Sequence, residues 1–319
     1  MKLGIHIANY RAPEGTAQLP GKLVEIARAA DEAGFDSIWT CDHLFGGVPA
    51  ENPMLESYTT LGFLAAATRR IRLGALVTPA TFRNPGLLVK QVTTLDVLSG
   101  GRANMGIGAG GTQREHVGLG IDQPPRGRRV ERLQETVEIA LQMWSGEVKP
   151  YSGKHFQLAE TICSPQPLTR PHPPILIGGG GERRTLRVVA KYADVWNFGA
   201  DPSWFRLKAD VLRQRCAEIG RHYEAIEKSI VDWFVLVDDV PRGAPEPWKA
   251  KHNSTEEGRA AFFARYGQNV PVTTGKLIEA LGVQAEAGVQ HSILDLGNVW
   301  DIEPIYRIGR DVIPQIRSL

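Results

Sequence analysis

Apolar residues in this chain fall into two alternating arrangements: short unbroken runs, and longer stretches in which they return every three to four positions. The runs at 2–8, 35–40, 71–78, 102–108, 175–177, 193–198, 229–237 and 289–296 read as buried strands. The periodic stretches at 21–33, 56–70, 87–98, 126–144, 186–193, 203–222, 257–266, 274–287 and 302–313 read as helices. The clearest is 126–144, with Val130, Leu133, Val137, Leu141 and Trp144 on one face, while Gly34 is placed to end the first. Eight apolar strands, each followed by a helix, predict an α/β fold of the (β/α)8 TIM-barrel type. A doubly wound sheet is the alternative, but it seldom has eight successive parallel strands. Two stretches break the rhythm. Residues 147–173 hold a candidate hairpin (151–158) and a proline-rich run. Residues 238–257, with Pro241, Pro245 and Pro247 among charges, read as a long loop and a candidate lid. The expectation is one domain over 1–319 with two insertions.

Composition narrows the class. Lysine and arginine number 37 against 35 acidic residues, a formal net charge of +2, so there is no electrostatic case for nucleic acid or an acidic membrane surface. Cys41, Cys163 and Cys216 are odd in number and widely spaced, which suits neither a disulfide framework nor a zinc site. The apolar run at the N-terminus is interrupted by His6 and too short for a signal peptide, and no stretch is long enough to span a bilayer. The expected setting is the reducing cytoplasm.

A barrel of this kind carries its chemistry at the C-terminal ends of the strands. The fifth strand runs into four glycines, Gly178 to Gly181, and then a helix. Converging backbone amides and a helix N-terminus hold an anion, and four glycines permit a closer approach than a tight turn needs. No Gly-Lys-Ser/Thr follows, so this is not a Walker loop; Gly179, Gly180 and Gly181 read as a phosphate seat. The second strand ends in Asp42-His43. A histidine beside a carboxylate can move a proton near neutrality, or it can simply cap a strand. The run Gly106-Ile-Gly-Ala-Gly-Gly111 fits G-x-G-x-x-G formally but follows the fourth strand and lacks a prompt helix. It reads as a glycine-lined wall for a flat ring. Glu115 and His116 follow, facing either substrate or solvent, and His6 points either into the barrel or away from it. No histidine or cysteine pair has metal spacing, and no Gly-x-Ser-x-Gly elbow occurs.

Four stretches in order, DAGFDSIWTCDHL, IRLGALVTPATFRNP, TTLDVLSGGRANMGIGAG and PPILIGGGGERRTLRVVAKYADVWN, resemble the bacterial-luciferase-like superfamily across essentially the whole chain. Within it they look most like the branch that uses the deazaflavin coenzyme F420. The resemblance implies a (β/α)8 barrel with insertions, a homodimer, and a flavin or deazaflavin across the C-terminal mouth. It places Asp42 and His43 beside the cofactor ring, with His43 as acid/base. It makes Ala75-Leu76 a non-prolyl cis peptide against the ring, puts Thr78 at the ring edge, and gives Gly179, Gly180 and Gly181 the cofactor phosphate. Sugar-phosphate dehydrogenases of this branch carry a Glu after the fourth strand and a Trp soon after Asp-His. Here those places hold Gly111 and the Trp-less stretch 44–48, and another subgroup's Trp-Asn is replaced by Gly111-Thr112. No substrate residue is therefore carried over.

The expected activity is an F420-dependent oxidoreductase exchanging hydride with a small organic substrate. One alternative is an FMN-dependent monooxygenase served by a separate reductase. Another is a catalytically silent cofactor-binding barrel. Arg183 and Arg184 beside the seat would suit the longer acidic tail of the deazaflavin.

Overall fold

The computed structural model describes residues 1–46, 50–199, 202–242 and 269–319. Its strands are β1 (Lys2–Ile7), β2 (Ser37–Thr40), β3 (Arg72–Ala75), β4 (Thr78–Pro79), β5 (Ala103–Gly108), β6 (Tyr151–Ser152), β7 (Gln157–Leu158), β8 (Ile175–Gly178), β9 (Val195–Asn197), β10 (Glu227–Leu236), β11 (Val270–Val272) and β12 (His291–Leu296). Its helices are α1 (Leu19–Glu32), α2 (Ser57–Ala67), α3 (Pro85–Ser99), α4 (Gln113–Gly118), α5 (Arg126–Trp144), α6 (Thr185–Tyr192), α7 (Pro202–Glu218), α8 (Thr274–Glu286), α9 (Glu303–Asp311) and α10 (Ile313–Ile316).

Parallel pairing runs β1-β2-β3-β5-β8-β9-β10-β12 and returns to β1, so eight strands close a barrel. The fold is the (β/α)8 barrel that the hydrophobic pattern predicts. β4 continues β3 along β5 past an irregular step, and β11 lies on β10 as a short addition. β6 and β7 form the expected antiparallel hairpin. The anticipated loop after the fourth strand is partly helical, being interrupted by α4. The second insertion falls outside the described residues beyond Arg242, as does the helix expected at 257–266. No described helix is long and apolar enough to cross a membrane.

Local chemistry sets the element ends. The Asn84 side chain accepts from the Gly86 amide at 2.9 Å, Pro85 opens α3, and Gly100 closes it with φ +72°. Buried acids on the helices then tie down loops. Asp96 accepts from the Leu168 and Thr169 amides and the Thr169 hydroxyl, fastening the first insertion to α3. Glu135 accepts from the amides of Lys154, His155 and Phe156, fastening the hairpin to α5.

The barrel interior is layered. At the N-terminal end Trp39 Nε1 donates to Ser37 Oγ at 2.7 Å and Ser37 meets His291 Nε2 at 2.8 Å. His291 Nδ1 meets Glu227 at 3.0 Å, and Lys2 donates to Glu227 at 2.5 Å. An apolar plug of Trp39, Leu176 and Ile293, with Leu76, Val77 and Val195, lies among these strands. The outer core packs helix faces such as Leu133, Val137 and Ala140 against the barrel.

Candidate active site

The glycine run 106–111 is explained by packing. A Cβ on Gly106 would fall 1.8 Å from the Ala75 carbonyl oxygen and 3.5 Å from the Trp39 ring. One on Gly108 would fall 2.8 Å from Val77, and one on Gly110 2.9 Å from Thr81. Most of this run therefore makes room for neighbouring strands and side chains, a packing reason for its glycines that stands beside the reading as a wall for a flat ring. The cis peptide also moves. It joins Leu76 to Val77, one residue beyond the expected Ala75-Leu76. Ala75 is fully buried in β3, while Leu76 and Val77 project into the barrel, Val77 over Gly108 and Gly178.

Asp42 and His43, adjacent in sequence, have opposite environments. Asp42 is buried, and both its oxygens accept from Arg83, at 2.6 and 2.9 Å. Arg83 also reaches Glu56 at 2.5 Å and lies over the Tyr58 ring, whose hydroxyl meets Thr78 Oγ1 at 3.0 Å. Desolvation opposes the Arg83 charge, but the two carboxylates outweigh it and raise its pKa. Thr78 is itself fully buried. Asp42 and Thr78 are thus joined through Arg83 and Tyr58 in one network behind the mouth.

His43 instead keeps 47% of its side chain exposed at the mouth. Its partner is Glu115, 2% exposed on α4, at 2.9 Å from Nδ1. Burial pushes the Glu115 carboxyl up, but hydrogen bonds from His43 and from the Leu44 and Phe45 amides prevail and lower it. An ionised carboxylate only accepts, so Nδ1 carries the proton and Nε2 is the nitrogen left for the mouth. The pairing of His43 with Glu115 was not legible from sequence, because their separation of 72 residues is bridged only by the barrel. Neighbouring His116 is fully buried and satisfied, with Nε2 to Thr81 Oγ1 at 2.8 Å and Nδ1 to the Thr112 carbonyl at 2.7 Å. Burial pushes the nearby Cys41 thiol up to about 12, so it stays neutral and is no nucleophile.

The glycine stretch after β8 is also closely packed, but it borders an open groove. Gly179 holds φ +124°, open only to glycine, and donates its amide to the Asn197 carbonyl. A Cβ on Gly180 would meet the Phe198 ring at 2.4 Å, and one on Gly181 the Thr185 hydroxyl at 2.9 Å. Beside them opens a groove of about 690 Å³ lined by Gly180, Gly181, Thr185, Phe198 and the cations Arg126, Arg183, Arg184 and Lys208. Lys208 pairs with Glu182 at 2.6 Å and Arg184 approaches Glu131 at 3.7 Å; Arg126 and Arg183 make no ion pair among the described residues. A close backbone, the start of α6 and a groove lining in which four cations face the one carboxylate Glu182 suit a phosphate. Among the described residues no group of three or more histidine, cysteine or carboxylate side chains could hold a metal.

Comparison with known proteins bears on the family and the fold. The model of the luciferase-like monooxygenase family matches residues 1–283. An F420-dependent glucose-6-phosphate dehydrogenase of Microbacterium testaceum is 31% identical over 59% of this chain and 56% of its own length. The oxygenase component of a flavin-dependent trigonelline monooxygenase of Acinetobacter baylyi is 30% identical over 55% of this chain and 47% of its own. The chain thus spans about half the length of these curated relatives. A solved F420-dependent secondary alcohol dehydrogenase, in complex with an F420-acetone adduct, superposes with a TM-score of 0.80 at 20% identity, covering 99% of both chains.

Proposed function

The chain belongs to the luciferase-like monooxygenase family, and from that premise we propose that it is an F420-dependent oxidoreductase exchanging a hydride with a small organic substrate. The observation that carries the cofactor reading is the seat after β8. Gly180 and Gly181 leave the backbone bare at the groove, with Gly179 holding the turn before them, and the basic groove suits a phosphate and an acidic tail longer than that of FMN. Similarity to dehydrogenases whose names specify F420 supports it.

Bound across the mouth, the deazaflavin would supply a ring carbon that gives or takes hydride. The protein's share is to orient and to manage the proton. Asp42 and Leu76 edge the ring, with Asp42 held by Arg83. Ala75 and Thr78, buried as side chains, contribute through their backbone. Hydride transfer at a carbinol or carbonyl carbon requires a proton to leave or join its oxygen, and His43 Nε2 is the group that moves it. Glu115 fixes the tautomer and stabilises the imidazolium.

A second reading, an FMN-dependent monooxygenase fed by a separate reductase, draws on the likeness to the trigonelline oxygenase and would use the same seat. Titrating the apo-protein with F420 and FMN side by side separates the two. Tight F420 binding with weak FMN binding is expected. The reverse order would move the assignment to the monooxygenase, and binding of neither would remove the seat.

A further inference from the structure

The proton machinery at the mouth leaves a second histidine unused. His6 sits near the C-terminal end of β1, in register with Trp39 of β2 and with Asp295 of β12. Asp295 is in turn in register with Trp233 of β10. Gly4, two residues before His6, faces the barrel axis, since a Cβ there would meet Ser37, His291 and Ile293. Strand alternation therefore turns His6, Trp39 and Asp295 inward at one level. His6 is 7% exposed and its Nδ1 lies 3.7 Å from Asp295 Oδ2, beyond hydrogen-bond reach. Neither ring nitrogen has a hydrogen-bond partner among the described residues.

The other buried histidines differ. His291 and His116, equally buried, have both nitrogens engaged. A buried, unsatisfied imidazole beside a carboxylate disfavours the folded state unless something else completes it. Ile293 lies one inward step toward the N-terminal end and belongs to the apolar plug, so the pair is reached from the mouth. The pair, with partly exposed Trp233 in register beside Asp295, offers apolar contact for a small ring and hydrogen bonds for one oxygen.

We propose that His6 and Asp295 form a ligand-binding pair at the floor of the mouth, taking a hydroxyl or carbonyl oxygen of a small, largely apolar molecule, an oxygen distinct from the one whose proton His43 moves. Asp295 faces the Nδ1 side of the ring at 3.7 Å, and Nε2 meets the ligand oxygen. As the substrate-reading part of the mouth, the pair rests on the oxidoreductase assignment, but its binding test does not require turnover.

The test uses full-length protein with ¹⁵N-labelled histidine, titrated with cyclohexanol and cyclohexanone, with and without oxidised F420. The His6 signals are assigned by their loss in His6→Gln. Either probe is expected to shift them saturably, and Asp295→Asn to weaken that response about tenfold, the loss expected of one hydrogen bond. A His6 signal unmoved by both probes overturns the site. If F420 binds and His6 stays silent, the site falls and the oxidoreductase reading stands; if F420 fails to bind and His6 still responds, the reverse holds. A stability control guards against a purely structural histidine. His6→Leu is expected to keep the wild-type Tm while His291→Leu lowers it, and an equal drop in both overturns the proposal.

Discussion

At the scale of single residues, His43 and Glu115 divide one task. His43→Ala removes the mouth nitrogen but leaves the seat intact, so kcat should fall by about 10²- to 10⁴-fold with F420 affinity nearly unchanged. Parallel loss of affinity would make His43 a cofactor contact instead. Glu227 gives a pH prediction from the opposite end of the barrel. Burial pushes its carboxyl up, but His291 and Lys2 overcome that and hold it down at about 2 against an ordinary 4.5. A carboxyl depressed on folding stabilises above its unfolded pKa and loses that contribution as pH falls through the folded value. The Tm advantage of wild type over Glu227→Gln should therefore be full near neutrality, shrink below about pH 4.5 and vanish towards pH 2. A gap independent of pH would mean that the ionised pair contributes nothing. Asp42 and His43 were legible as strand-end residues, but the carboxylate that meets His43 is Glu115, while Asp42 is held by Arg83. Glu115 and His6 were named with their facing left open, since one depends on a distant contact and the other on which way a strand faces.

At the scale of elements, most of the barrel's strands and helices were legible because an apolar run or a helical stripe marks each one. α4 escaped because it has only six residues and is flanked by Gly110, Gly111 and Gly120. The step between β3 and β4 escaped because its residues are uniformly apolar, so a single long strand fitted the pattern as well. The glycine run at 106–111 shows how like residues serve unlike ends. Gly106→Ala forces a methyl into the Ala75 carbonyl and should cost on the order of 3 kcal/mol or more. Gly111→Ala meets nothing within 4 Å and should be nearly neutral. Thermal or urea denaturation of the two variants checks this, and equal effects would refute the packing account. Asn84→Ala, which strips the cap of α3, should cost about 1 kcal/mol in the same assay.

At the scale of the whole molecule, the formal charge of +2 conceals an uneven distribution. Arg126, Arg183, Arg184 and Lys208 come from α5, the turn before α6, and α7, far apart in sequence, and converge on one groove. A field concentrated there draws an anion from solution before any contact forms, so the cationic groove acts on arrival as well as on retention. The bimolecular association rate of F420, measured by stopped flow, should fall steeply as ionic strength rises through the range where the Debye length shrinks from about 30 to 8 Å. Dissociation should change far less. Replacing Arg126 and Arg183 together with glutamine should flatten that salt dependence while leaving proton transfer at His43 untouched. Encounter with the cofactor and chemistry at the mouth would then be separately adjustable properties of one barrel, the first set by its outer helices and the second by the ends of its strands.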